Sequence, residues 1–280
     1  MTTSDGATPD LGRFGSFGMG ATPEQAQEIE RLGYGTIWVA GSPPAELSFV
    51  EPLLESTTTL KVATGIVNVW TAAAKPVADS FHRINAAYPG RFVLGVGVGH
   101  PEAQAQYRNP YQALVSYLDE LDEYGVPANQ RVLAALGPRV LKLSAERTAG
   151  AHPANATPEH AAQARAIIGP NKLLAPVHNV VLTPDADEAR AIGRAALDFY
   201  FNLTNYVSNW KRLGFTDDDV TAPGSDRLID AVVAHGTPED VAKRLGEYLS
   251  AGADHVAILV LGRPDQVLPT LSKLAGPLGL

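Results

Sequence analysis

Short apolar runs of β type alternate with amphipathic stretches along nearly the whole chain. The pattern predicts strands at Arg13–Gly18, Thr36–Ala40, Lys61–Val67, Arg91–Val98, Arg131–Leu136, Gly150–Asn155, Leu173–Leu182 and His255–Leu261. Phe92-Val93-Leu94-Gly95-Val96 and Val256-Ala257-Ile258-Leu259-Val260 are apolar on both faces, which suits parallel strands covered by helices. Between the runs, apolar residues recur at helical spacing: Val77, Phe81, Ile84; Leu114, Leu118, Leu121; Val241, Leu245, Tyr248. Thr22-Pro23-Glu24-Gln25 and Thr237-Pro238-Glu239-Asp240 read as capped helix starts with proline in the first turn, and Thr157-Pro158-Glu159 and Thr183-Pro184-Asp185 repeat that signature. Eight strand–helix units predict an α/β fold, a closed (β/α)8 TIM barrel rather than an open doubly wound sheet. Ala195–Ala234 holds more helix than a crossover needs, so extra helices are expected between strands 7 and 8, covering one end of the barrel. Residues 1–10 read as a flexible N-terminal tail and 11–280 as one barrel domain.

Composition narrows the function classes. The chain has 280 residues, enough for a barrel that usually needs ~250. Hydrophobic residues make up 45% and charged residues 19%, which excludes a disordered chain. Thirty acidic residues against 22 basic ones give a net charge of −8, which argues against nucleic-acid or anionic-membrane partners. Without cysteine there is no disulfide, thiolate nucleophile or cysteine–zinc site. No apolar run reaches the ~20 residues of a membrane span. The seven histidines show no metal-ligand spacing, and no metal is expected. A cytoplasmic protein acting on a small molecule is the expectation.

In such barrels chemistry gathers where strands end. The second predicted strand ends in Ala40-Gly41-Ser42-Pro43, the third in Gly65-Ile66-Val67-Asn68, the fourth in Gly97-Val98-Gly99-His100 and the fifth in Leu136-Gly137-Pro138-Arg139. Gly137-Pro138 opening a helix would present free amides to an anion such as phosphate, with Arg139 adding a charge-assisted contact. The alternative is an ordinary tight turn with a proline start. Gly95-Val96-Gly97-Val98-Gly99 is not a dinucleotide fingerprint, because the last glycine falls on His100 and the run lies within a strand. Its glycines are read as keeping the barrel wall low beneath something flat. His100, whose charge can change near neutral pH, is the leading acid–base candidate, against a purely structural histidine.

Gly33-Tyr34-Gly35-Thr36-Ile37-Trp38-Val39, Ala63-Thr64-Gly65-Ile66 and Pro89-Gly90-Arg91-Phe92-Val93-Leu94-Gly95-Val96-Gly97 resemble the bacterial luciferase-like superfamily. Ala134-Ala135-Leu136-Gly137-Pro138, Gly236-Thr237-Pro238-Glu239-Asp240-Val241 and Gly252-Ala253-Asp254-His255-Val256 extend the resemblance over nearly the whole chain after the tail. It implies a (β/α)8 barrel that binds FMN or the deazaflavin coenzyme F420. Gly41-Ser42-Pro43 resembles the F420-dependent branch. In that family Gly65-Ile66 matches a bulge, often a non-proline cis peptide, behind the isoalloxazine ring. Asn68, Gly137, Pro138 and Arg139 match contacts to the ring edge and phosphate. The F420-dependent sugar-phosphate and alcohol dehydrogenases carry an acid and a histidine where Gly41 and Ser42 stand here, and a glutamate where His100 stands. The resemblance therefore implies hydride transfer between the deazaflavin C5 and a small organic substrate, with His100 moving the proton and Ser42 orienting the substrate. The alternatives are an FMN-dependent monooxygenase and a non-catalytic deazaflavin-binding protein. Many relatives are dimers, and a homodimer is expected.

Overall fold

The computed structural model describes residues 8–99 and 109–280. In chain order the first elements are β1 (Phe14–Gly18), α1 (Pro23–Arg31), β2 (Thr36–Val39), α2 (Val50–Glu55), β3 (Lys61–Thr64), β4 (Val67–Asn68), α3 (Ala74–Ala87) and β5 (Phe92–Gly97). Then come α4 (Pro110–Glu123), β6 (Arg131–Leu133), α5 (Pro138–Arg147), β7 (Gly150–Ala151), α6 (Pro158–Ile168), β8 (Leu173–Leu174) and β9 (Val177–Val181). An excursion follows: α7 (Ala186–Leu197), α8 (Thr204–Arg212), α9 (Asp217–Val220), α10 (Asp226–Val232) and β10 (Val233–His235). The chain returns through α11 (Pro238–Ser250), β11 (Val256–Val260) and α12 (Val267–Ala275).

Every pairing among these strands is parallel, as their two-sided apolar character requires. β8 and β9 are two halves of one stave, interrupted at Ala175-Pro176 because proline has no N–H to give to the ladder. On one side Ala175 and Val177 donate to the carbonyls of Ala151 and Pro153, at 2.9 and 2.8 Å. On the other, β9 pairs with β11 and β11 with β1, Phe14 opposite Val256. The staves therefore close into the expected TIM barrel, with extra helices between the seventh and eighth.

Two local expectations need correction. The excursion is not purely helical, since Val233–His235 forms β10 and pairs with β9 at Val233–Asn179. At Thr183-Pro184-Asp185 the cap is Asp185, whose carboxylate accepts from the N–H groups of Asp187 and Glu188. The caps of α1, α6 and α11 are Thr22, Thr157 and Thr237, as the sequence indicates.

The barrel centre is filled by Trp38, which is fully buried. Its ring stacks on His152 at 3.8 Å and 8°, and its Nε1–H donates to His255 Nε2 at 3.0 Å. His255 in turn donates Nδ1–H to the Gly12 carbonyl, and His152 donates Nδ1–H to Ala175. Gly15 leaves room for this packing, because a Cβ there would stand 2.8 Å from the His255 ring. Between sheet and helices, His178 donates Nδ1–H to the Tyr248 hydroxyl, which donates to the Ala156 carbonyl.

Arg91, from the Pro-Gly-Arg-Phe block, is a clamp on the segment between α2 and β3. Its guanidinium donates to the carbonyls of Leu54, Thr57 and Leu60 and to the Thr57 hydroxyl, at 2.7–3.0 Å. Lysine has no planar fork to reach all of these. Arg91→Lys is expected to lower stability by about 2–3 kcal/mol in urea unfolding, and a change near zero would refute the clamp.

Burial pushes the pKa values of His152, His178 and His255 down to about 3, 3 and 4. These rings stay neutral in the fold but accept protons once unfolded, below about pH 6.5. The unfolded state then binds more protons, so stability falls as pH drops from about 6.5 toward 4, before most carboxylates titrate. Urea midpoints measured from about pH 7 to 4.5 should decline steadily, and a flat series would contradict the neutral assignment.

Candidate functional site

The third stave changes course at its C-terminal end. Gly65 N–H still bonds the Val39 carbonyl at 2.7 Å, continuing the ladder with β2. After Ile66 the chain becomes β4 and pairs with β5 at Val67–Val96 and Asn68–Gly97. The Gly65-Ile66 peptide between them is cis. Gly65 has no room for a side chain: a Cβ would lie 2.5 Å from the Phe17 ring and 3.3 Å from His152 Nε2. The result is a half-buried stretch of backbone wall at the barrel rim, backed by Phe17 and His152.

The strand glycines act differently from the sequence expectation. A Cβ on Gly95 would run into the Thr64 carbonyl, and one on Gly97 would stand 2.9 Å from Ile66 and 3.0 Å from Ala134. Their space is taken by the protein's own bulge. They lower the wall for Ile66 and Thr64, not directly for a ligand.

The other sequence-marked residues spread around the same rim. Asn68 is buried, and its Oδ1 accepts from Trp70 N–H at 3.0 Å, so one side-chain atom is committed to its own turn. Gly41 and Ser42 follow β2 in an exposed turn, with φ of 87° and 51°, and Met19 lies against Gly41. Glycine takes such angles freely, whereas serine does so at a cost. Gly137 is the N-cap of α5 and Pro138 its first residue. Arg139 is drawn aside, its guanidinium 3.7 Å from the centre of the Tyr111 ring. His100 lies outside the described residues.

Sequence reasoning passed over two further groups. His152, at the end of the sixth stave, presents a buried Nε2 without a hydrogen-bond partner next to Gly65. With Nδ1–H given to Ala175 and the ring neutral, that nitrogen is a bare acceptor. Arg212, on α8, stands beside Gly137, its Nη2 3.9 Å from where a Gly137 Cβ would be, and Asn209 of the same helix accepts from that nitrogen. His152 lay within the predicted strand Gly150–Asn155 and was open to notice there; nothing in the local sequence links α8 to the fifth stave.

A groove of about 1250 Å³ opens at the opposite, N-terminal end of the barrel, lined by residues that include Arg131, Arg147, Lys172 and Asp254. Its arginines are already paired, Arg131 with Asp122 and Arg147 with Asp119 and Asp122. Barrel chemistry gathers at the other end, where the staves carrying Gly65 and Gly137 finish. Among the described residues no three His, Asp or Glu side chains group as a metal site, and no helix is long and apolar enough to cross a membrane.

The luciferase-like monooxygenase family matches residues 3–124. An N-acetyl-S-alkylcysteine monooxygenase of Bacillus subtilis (strain 168) is 33% identical over 137 residues, a match that spans 42% of this chain and 40% of that protein. Similar folds include an F420-dependent secondary alcohol dehydrogenase in complex with an F420-acetone adduct (TM-score 0.71, 14% identity, 95% of this chain and 98% of that one). Another is the oxygenating constituent of 3,6-diketocamphane monooxygenase from Pseudomonas putida, a type II Baeyer-Villiger monooxygenase in complex with FMN (TM-score 0.64, 14% identity, 95% and 98%). Residues 3–124 thus match the luciferase-like monooxygenase family, and the chain as a whole shares the parallel barrel fold of these neighbours.

Proposed function

We propose that this luciferase-like oxidoreductase uses coenzyme F420, with the planar ring against the backbone of Gly65 and Ile66 and the phosphate directed toward Gly137, Pro138 and Arg139. The carrying observation is the bulge itself. A flat ring needs a wall free of projecting side chains, and Gly65 is half-buried backbone with none to project, its Cβ direction being filled from behind by Phe17 and His152. The residues fit such a group: bare backbone for the ring, the open cap of α5 for an anion and the Asn68 amide for the ring edge. When bound, the deazaflavin supplies hydride transfer at its C5 to or from a small organic substrate. Ser42, exposed in the turn after β2, orients that substrate through its hydroxyl. His100 gives or takes the proton at the substrate.

A second reading, an FMN-dependent monooxygenase, draws support from the partial match to the N-acetyl-S-alkylcysteine monooxygenase and from the FMN-bound neighbour. Separate titrations with F420 and FMN, followed by fluorescence quenching, discriminate the two. Tight quenching with F420 alone is expected. FMN binding with substrate-dependent oxygen uptake would instead select the monooxygenase. In the F420 enzyme, His100→Ala should cut turnover by about 10²–10⁴-fold while the quenching affinity stays nearly constant. Unchanged turnover would remove His100 from the reaction.

A further inference from the structure

The α5 cap alone is a weak anion site. Pro138 has no N–H, and the N–H groups of Val140 and Leu141 turn back to the Gly137 carbonyl at 3.1 and 3.0 Å. Arg139 keeps its amide, but its guanidinium is stacked on Tyr111. The amides of Gly137 and Arg139 and a helix dipole offer a phosphate less attraction than a full positive charge would. The missing charge stands on the excursion. Arg212 Nη2 lies next to Gly137 and donates to Asn209 Oδ1 at 3.2 Å. Asn209 is 1% exposed, and its Nδ2 has no partner. α8 is held in place by Trp210, fully buried, whose Nε1–H donates to the Asn155 carbonyl at 2.9 Å. His160 Nε2–H ties up the Leu136 carbonyl at 2.8 Å, which removes one acceptor that would repel an anion beside Gly137.

We propose that Arg212, oriented by Asn209, is the principal phosphate-binding residue of the cofactor site, so that the excursion between the seventh and eighth staves completes a pocket begun by the fifth. This rests on the reading of the rim as a flavin-type cofactor site. The ligand chemistry is a phosphate ester on a planar ring. A guanidinium meets phosphate oxygens with paired N–H groups, which a lone amide cannot match.

The test compares each cofactor with its phosphate-free core: F420 with its 8-hydroxy-5-deazaflavin core, and FMN with riboflavin. Quenching titrations give the ratio of affinities for wild type, Arg212→Ala and Arg212→Lys, with thermal unfolding checking that each variant is folded. Wild type should favour the phosphorylated form of the ring it binds by about 10–100-fold. Arg212→Ala should abolish most of that preference while core affinity stays the same, and Arg212→Lys should retain part of it. Inorganic phosphate should weaken phosphorylated-cofactor binding in wild type but not in Arg212→Ala. A preference undiminished in Arg212→Ala overturns the role of Arg212 and leaves the cofactor reading intact. Absence of quenching by any ring in wild type overturns both.

Discussion

The architecture depends on how the middle of the barrel is filled, by one indole set among smaller apolar side chains. Parallel staves enclose a space that must be packed, since an empty apolar void forfeits dispersion contacts along its whole lining. Trp38 occupies it together with Val93, Val132, Leu173 and Val177; Ala63 and Ala257 line the same cluster, and Gly15 makes room for His255. An indole brings a polar N–H into the dry interior, which needs an acceptor. His255 supplies one and must remain neutral to do so. His152 covers the ring face and extends toward Gly65. Core and rim are thus one stack: indole, imidazole, then the backbone wall at residue 65.

This layering explains why the most distinctive stretch of the sequence is structural rather than catalytic. Arg91 collects the loose carbonyls between α2 and β3, fixing where the third stave begins. Gly95 and Gly97 on the adjacent stave yield space to the Thr64 carbonyl and the Ile66 side chain. Both features serve the jog at residues 65–66 from outside. The wall at the rim is therefore specified by residues that need touch no ligand.

Much of the scaffold was legible because periodicity and capping chemistry are local properties. The staves and the caps at Thr22, Thr157 and Thr237 follow from residues within a few positions of each other. β10 was hidden because Val232-Val233-Ala234 continues the apolar character of α10 without a break, and only pairing with β9 separates strand from helix. The geometry of the candidate site was legible in proportion to its dependence on the backbone. Gly65, Ile66 and Gly137 stand at strand ends and could be found, but the direction of the Arg139 side chain depends on Tyr111, from another helix. Arg212 reaches Gly137 across 75 positions of chain only through tertiary packing.

The pairing of β10 with β9 has a bearing on how this scaffold can be altered. The segment carrying α8 is sewn into the sheet by main-chain hydrogen bonds at Asn179, Val180 and Val181, so it is not an appendage clipped onto a finished barrel. Its removal would leave one flank of a stave without ladder partners and prone to capture by another chain. Exchange of this region between homologous enzymes would have to carry the seventh stave along with it, which makes the natural unit of recombination a strand-bounded block rather than a surface loop.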